Sequence, residues 1–362
     1  MTSSRRYAIL GCGMMGREHM RNIALVPGIE LVAIADPDAG SRQAAAQLAA
    51  ELGQSPQILE NVEDALGLAP DAVIIASPNY THFEMLKTIM PHGPAILVEK
   101  PLCTTVEHAE QIAELAEDYS SLFWVGLEYR YMPPVTRFIE RVHAGATGPV
   151  RMMYIREHRF PFLPKVDDWN RFNRNTGGTL VEKCCHFFDL MRHTLQDEPV
   201  RIFASGAQDE NHLDERYDGE VPDILDNAYV TVEFSRGGRA VLDLCMFAEG
   251  TEQQEEIYAL GAKGRLDVAI PAATVTWSPR DKSGPFLEHI ETPPAALSAG
   301  DHHGATYFQL MHFDRALQTG GAPHVNALDG LRSVQMGAAA QQSIATGQAV
   351  DLDFGHEGNE SA

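Results

Sequence analysis

Ten residues near the start constrain this chain more than any others: Tyr7-Ala8-Ile9-Leu10-Gly11-Cys12-Gly13-Met14-Met15-Gly16. A short hydrophobic run leads into G-x-G-x-x-G and then a helix-like stretch, so backbone amides at a helix start can approach a pyrophosphate with no side chain in the way. Gly11, Gly13 and Gly16, with Met14 and Met15 at the helix start, are therefore candidate cofactor contacts. A second strand-like run, Glu30 to Ala35, ends at Asp36, where the ribose hydroxyls of a dinucleotide would lie. A carboxylate there accepts hydrogen bonds from a ribose diol and repels a 2′-phosphate, and Pro37-Asp38 supply no cation. The pattern expects NAD rather than NADP.

At 362 residues and 44% hydrophobic content, the chain reads most simply as two domains. Its formal charge of -22 repels a nucleic-acid backbone and an anionic membrane surface, so neither is an expected partner. No apolar run approaches the roughly 20 residues of a membrane span, and no signal-like stretch precedes the first strand. A cytoplasmic protein is expected. The five cysteines show no paired CxxC spacing, which favours reduced thiols and neither a zinc site nor a disulfide framework.

Strand-like runs at Tyr7-Leu10, Leu31-Ala35, Ala72-Ala76, Ile96-Val98 and Phe123-Leu127 alternate with helix-like stretches. This predicts an α/β N-terminal Rossmann domain over 1–127, a doubly wound parallel sheet covered on both faces. Beyond it the strand candidates lose their regular helical partners: Arg151-Glu157, Ala228-Phe234, Arg239-Met246, Glu255-Leu260 and Thr274-Trp277. Residues 128–362 are read as an α+β C-terminal domain with an open, largely antiparallel sheet for substrate binding and oligomerisation. Late helices are placed near Thr306-Gln318 and Ala327-Thr346, with a frayed tail after Phe354.

Ligands of open α/β sheets bind beyond the carboxyl ends of the strands. Two loops sit there: Ser77-Pro78-Asn79-Tyr80-Thr81-His82 after the third clear strand run, and Glu99-Lys100-Pro101 after Ala95-Val98. Ser77, Pro78, Asn79, His82, Glu99 and Lys100 are candidate cofactor contacts, with helix capping or packing the alternative for His82. An ammonium at Lys100 can polarise a substrate hydroxyl as it loses hydride; the alternative is a structural pairing with a nearby carboxylate.

A second cluster runs from Thr176-Gly177-Gly178 to Asp189. Read as one helix over about 178–194, it places Glu182, His186, Asp189 and His193 on one narrow face. Glu182 and His186, at i and i+4, can act together, the carboxylate orienting the imidazole as a base; the alternative is a satisfied buried polar face. Helical spacing turns Cys185 about 100° from His186, so no metal site is expected there. The third feature is a reversal of charge between Arg151 and Arg174. Arg156, His158, Arg159 and Lys165, with Trp169, could reach an anionic sugar, or could form a solvated loop with internal ion pairs.

GCGMMG with Asp36, SPNYTH, EKP and GGTLVEKCCHFFD together resemble the glucose-fructose oxidoreductase and inositol dehydrogenase family, Gfo/Idh/MocA. The resemblance spans nearly the whole chain, through Leu260-Gly261-Ala262-Lys263-Gly264 and Gly304-Ala305-Thr306-Tyr307-Phe308. It implies an N-terminal Rossmann domain, a C-terminal open sheet whose outer face forms homodimers or homotetramers, and a catalytic set of Lys100, Glu182 and His186. Arg130, Lys183 and Tyr307 join the candidate substrate contacts. Glu182 stands where the family usually has aspartate, Cys184 where it has glycine, and Glu128-Tyr129-Arg130-Tyr131 where asparagine-arginine-arginine is typical.

Three functions follow. The first is an NAD-dependent dehydrogenase acting on a ring hydroxyl of a sugar, sugar acid or polyol. The second is an NAD-requiring glycoside hydrolase that oxidises, eliminates, hydrates and re-reduces an anionic glycoside such as a sulfoquinovoside or uronide. The third is a non-catalytic NAD-binding protein, disfavoured because Lys100, Glu182 and His186 are all present.

Overall fold

The computed structural model describes residues 4–354, so the tail expected to fray after Phe354 lies outside them. Six strands form the first sheet: β1 (Arg5–Leu10), β2 (Ile29–Ala35), β3 (Gln57–Leu59), β4 (Ala72–Ile75), β5 (Ala95–Glu99) and β6 (Phe123–Gly126). Their order is β3-β2-β1-β4-β5-β6 and every neighbouring pair is parallel. This is the doubly wound order with its reversal between β1 and β4, which opens a crevice at the strands' carboxyl ends. The cause is visible in the residues: all of β4 and β5 is buried, as a sheet covered on both faces requires. Helix α1 (Met14–Leu25) follows β1.

The chain forms two compact units. The first combines residues 4–133 with 164–186 and 291–334. Its later segments complete the core of the earlier one: Phe313 meets Tyr7 and Trp124 edge-on, and Asp314 accepts hydrogen bonds from Tyr7 Oη at 3.0 Å and Arg5 Nε at 2.5 Å. Edge strand β6 is covered as Val125 N donates to Val325 O at 3.1 Å.

The second unit holds residues 134–163, 187–290 and 335–354, and carries a nine-stranded sheet. Its strands are β7 (Val150–His158), β8 (Pro199–Ala207), β9 (Asn227–Phe234), β10 (Arg239–Cys245), β11 (Glu255–Gly261), β12 (Gly264–Ile270), β13 (Thr274–Pro279), β14 (Phe286–His289) and β15 (Val350–Asp351). The order is β14-β13-β12-β11-β7-β10-β9-β8-β15, antiparallel except for the parallel β7·β10 pair. In β9, Ala228, Val230, Val232 and Phe234 are buried while the residues between them are exposed, the period-2 pattern of a sheet with one covered face. The late helices span Ala305–Thr319 and Ala327–Thr346.

Candidate active site

The glycine loop is shaped by close backbone approach. Gly11, at φ +88°, has its missing Cβ only 2.5 Å from Ser77 N, and a Cβ on Gly16 would overlap the Gly11 carbonyl. Gly13 is different: a Cβ there meets nothing within 4 Å, so the space in front of the helix start is open. Gly13 caps α1 without a side-chain hydrogen bond, leaving the first-turn amides of Met14, Met15 and Gly16 to face that space. Asp36 is held by both oxygens, accepting from Cys12 N at 2.7 Å and Asp38 N at 2.8 Å. Asn79 Nδ2, in the loop that abuts Gly11, is a buried donor without an acceptor. An open phosphate cradle, an oriented ribose carboxylate and an orphaned amide fit a dinucleotide.

Sequence reading missed a cation here. Pro37-Asp38 supply none, but Arg42 reaches back from the next helix to donate to Asp36 O at 2.7 Å and Pro37 O at 2.8 Å. It braces the backbone of the loop that carries Asp36. Burial, reinforced by the Asp36 charge, pushes the Cys12 thiol up to about 12.

Ser77 Oγ shares a hydrogen bond with Thr81 Oγ1 at 2.7 Å, and Pro78 caps the short turn Asn79–Thr81. His82 is completely buried, with Nδ1 2.8 Å from Pro101 O and Nε2 3.2 Å from Ser77 O. The packing alternative therefore describes its geometry: His82 ties the two crevice loops together. Burial holds its imidazole below the usual range despite those carbonyls. Glu99, at the end of β5, pairs with His19 Nε2 at 2.7 Å. Burial opposes ionisation of Glu99, but the hydrogen bond and charge of His19 outweigh it and lower its pKa.

Lys100 follows at once, and its Nζ donates to the Glu182 carbonyl at 3.4 Å. The strand-end lysine and the Thr179–Glu182 turn meet within the first unit. Gly177 makes this approach possible: at φ +81° its missing Cβ lies 2.6 Å from Thr104 O, so a side chain would push the 177–186 segment away from the loop after Lys100.

The single helix expected over about 178–194 is interrupted. Residues Thr179–Glu182 form one turn and Cys185–Leu195 a second helix, with Lys183 and Cys184 between them. Cys184 N reaches back five residues to Thr179 O at 3.4 Å, a wide turn that changes the phase of the side chains that follow. Glu182 and His186 are therefore not i,i+4 neighbours on a regular helix, though both are buried in this unit. Cys185 Sγ points to Glu182 O at 3.4 Å.

Tyr129 organises the site, a role that sequence reading missed. Its ring stacks on His186 with centroids 4.0 Å apart and planes 11° from parallel, and its hydroxyl accepts from Lys183 Nζ at 2.5 Å. The signal was present as a tyrosine in the family's basic stretch, but stacking is invisible without the fold. Lys183 is thus buried against Tyr129. Arg130 is buried too, donating to His324 O at 2.9 Å and facing Asp329 at 3.4 Å. Trp169 stands edge-on to Tyr80 at 6.1 Å, Tyr307 edge-on to Phe308 at 5.3 Å, and Lys165 is half-buried at the edge of the 166–171 turn.

Arg156, His158 and Arg159 belong to the second unit and are engaged there. Arg156 pairs with Glu256 at 2.6 Å, His158 with Asp243 at 3.0 Å and Arg159 with Glu157 at 3.4 Å. The local excess of positive charge is answered by Glu157 on the same strand and by Glu256 and Asp243 from the strands beside it.

Comparison with known proteins agrees with this geometry. Residues 5–127 match the family model described as "Oxidoreductase family, NAD-binding Rossmann fold", and residues 139–352 match "Oxidoreductase family, C-terminal alpha/beta domain". Scyllo-inositol 2-dehydrogenase (NAD(+)) of Bacillus subtilis is 28% identical over 355 residues, 96% of each chain. The crystal structure of an oxidoreductase domain protein from Kribbella flavida superposes with TM-score 0.84 at 21% identity, covering 97% of this chain and 100% of that one. Levoglucosan dehydrogenase, solved with NADH and levoglucosan, gives TM-score 0.81 at 18% identity over 96% of this chain and 99% of that one. With both of its parts matched in order and the crevice built for a dinucleotide, the chain belongs to the Gfo/Idh/MocA oxidoreductase family and binds NAD through its Rossmann domain.

Proposed function

We propose that this oxidoreductase removes hydride from a ring carbon bearing a hydroxyl, in a neutral sugar or cyclic polyol. The observation that carries the reading is the contact of Lys100 Nζ with the Glu182 carbonyl, which sets an ammonium beside the segment that holds His186. NAD, when bound by Gly11 to Gly16, Asp36 and the Ser77-Pro78-Asn79 loop, supplies the hydride acceptor.

Each chain residue then has one task. Lys100 holds the substrate oxygen and favours the developing alkoxide. Stacking on Tyr129 fixes the plane of the His186 ring, so its nitrogens present their edges to a hydroxyl, and one of them accepts the proton. Glu182 is a positioning residue for this pair. A neutral substrate is preferred because Arg156, His158 and Arg159, three of the four side chains that suggested an acid group, pair with Glu256, Asp243 and Glu157.

The inositol dehydrogenase likeness supports the same substrate class. The test is a panel of inositols, aldopyranoses, uronic acids and sulfonated sugars, assayed for NADH absorbance with wild type and Lys100→Ala. Turnover should concentrate on neutral rings and fall about 10²- to 10⁴-fold in the variant while NAD binding by calorimetry is retained. Undiminished turnover of Lys100→Ala would overturn the assignment, and sugar release from a glycoside without accumulating NADH would replace it with redox-neutral cleavage. We also propose that the open sheet of the second unit mediates a homodimer or homotetramer.

A further inference from the structure

Helix α1 buries an unusual set of side chains: Glu18, His19 and Asn22 lie on its covered face beside Met20 and Ile23. Among the described residues, no lysine or arginine pairs with Glu18 there. Its Oε1 accepts from His302 Nδ1 at 2.9 Å and from Thr306 Oγ1 at 2.6 Å. Glu128, from the turn after β6, brings a second carboxylate to the same point, with Oε2 2.5 Å from Thr306 Oγ1 and Oε1 3.6 Å from His302 Nδ1. One ligand atom from each of Glu18, Glu128 and His302 falls within 4.8 Å of the others.

Two features make this more than a group of acids. Thr306 has a single hydroxyl hydrogen and cannot donate to both carboxylates at once, and Glu128 Oε1 is fully buried with no hydrogen-bond partner while it points at His302. A carboxylate oxygen without a hydrogen bond in the interior is costly unless a proton or a cation completes it, and a metal ion would serve Glu18 and Glu128 together. The loop is also built to close here: Gly300 passes so near that a Cβ would overlap the Glu18 carboxyl carbon, and this brings His302 two residues later onto the pair.

We propose that Glu18, Glu128 and His302 form a binding site for one divalent transition-metal ion of the manganese-to-zinc class. Ligand atoms about 2.1 Å from a shared metal stand about 3.0–3.4 Å apart, for octahedral and tetrahedral geometry respectively. The 2.9 Å and 3.6 Å separations from His302 Nδ1 bracket that range. Two carboxylates match a +2 charge, and the imidazole favours manganese or zinc over magnesium. The ion would clip α1, the turn after β6 and the loop before helix Ala305–Thr319 together, beside the buried His19–Glu99 pair and outside the proposed catalytic set.

The test uses the full chain, stripped with a chelator, loaded separately with Zn²⁺, Mn²⁺ or Mg²⁺, desalted and analysed for metal by mass spectrometry. Wild type should retain one Zn²⁺ or Mn²⁺ per chain and release Mg²⁺, and Co²⁺ loading should give visible absorption bands of a nitrogen- and oxygen-ligated ion. Glu128→Gln and His302→Asn should each weaken retention at least about ten- to a hundredfold. His302 is partly exposed, so its variant keeps the test open if Glu128→Gln does not fold, with folding checked by circular dichroism and NAD binding. Failure of the wild type to retain any of these ions, or equal retention by folded variants, would overturn the proposal.

Discussion

Asp36 is the residue proposed to set cofactor choice. Both its oxygens are already oriented by backbone amides, so the ribose meets a carboxylate that needs no reorganisation. Asp36→Ala should lower kcat/KM for NAD about ten- to a hundredfold, the worth of hydrogen bonds to a charged group, and narrow its preference over NADP; initial rates with both cofactors check this. The carboxylate was legible from its spacing to Gly16, whereas Arg42 was not, because only the fold returns it to the Asp36 carbonyl. The buried thiols make a second residue-scale prediction. Burial pushes both Cys12 and Cys103 up to about 12, so neither supplies thiolate near neutrality. Alkylation at pH 8 should modify them only as fast as the protein unfolds, as a labelling time course read by mass spectrometry would show.

At the scale of elements, the strands were easier to read than the helices of the candidate site. Near-continuous apolar runs marked β1, β2, β4, β5 and β6, while three-residue β3 and the short β14 and β15 have too few covered positions to leave a pattern. The 177–195 segment has a helical pattern throughout, yet the wide turn at Lys183-Cys184 divides it, a backbone choice with no sequence periodicity of its own. Its anchoring glycine is testable: Gly177→Ala should displace the segment from Thr104, cutting turnover while NAD affinity is kept. His82 joins two loops in a pH-dependent way. Its folded-state pKa lies below the unfolded value, so the neutral ring's contribution is complete above about pH 6.5 and is lost as pH falls through that value toward the folded pKa. The stability difference between wild type and His82→Gln, measured by urea unfolding, should therefore shrink from pH 7.5 to pH 5.5.

Over the whole molecule, the family and both sheet types were legible from motif order and from the change in strand spacing, and no helix among the described residues is long and apolar enough to cross a membrane. The outward positions of the second sheet include Tyr229, Phe203 and Met152, all exposed in the single chain. If that face pairs copies, light scattering should give a multiple of 39.8 kDa and Tyr229→Asp should lower it. The first unit's discontinuity has a consequence for synthesis. Trp124, Tyr7 and Arg5 find Phe313 and Asp314 only after some three hundred residues have been made. A ribosome that has delivered the glycine loop and all six parallel strands has thus released an interior still lacking one wall, and the nascent nucleotide fold must wait for a helix encoded well after the last of those strands.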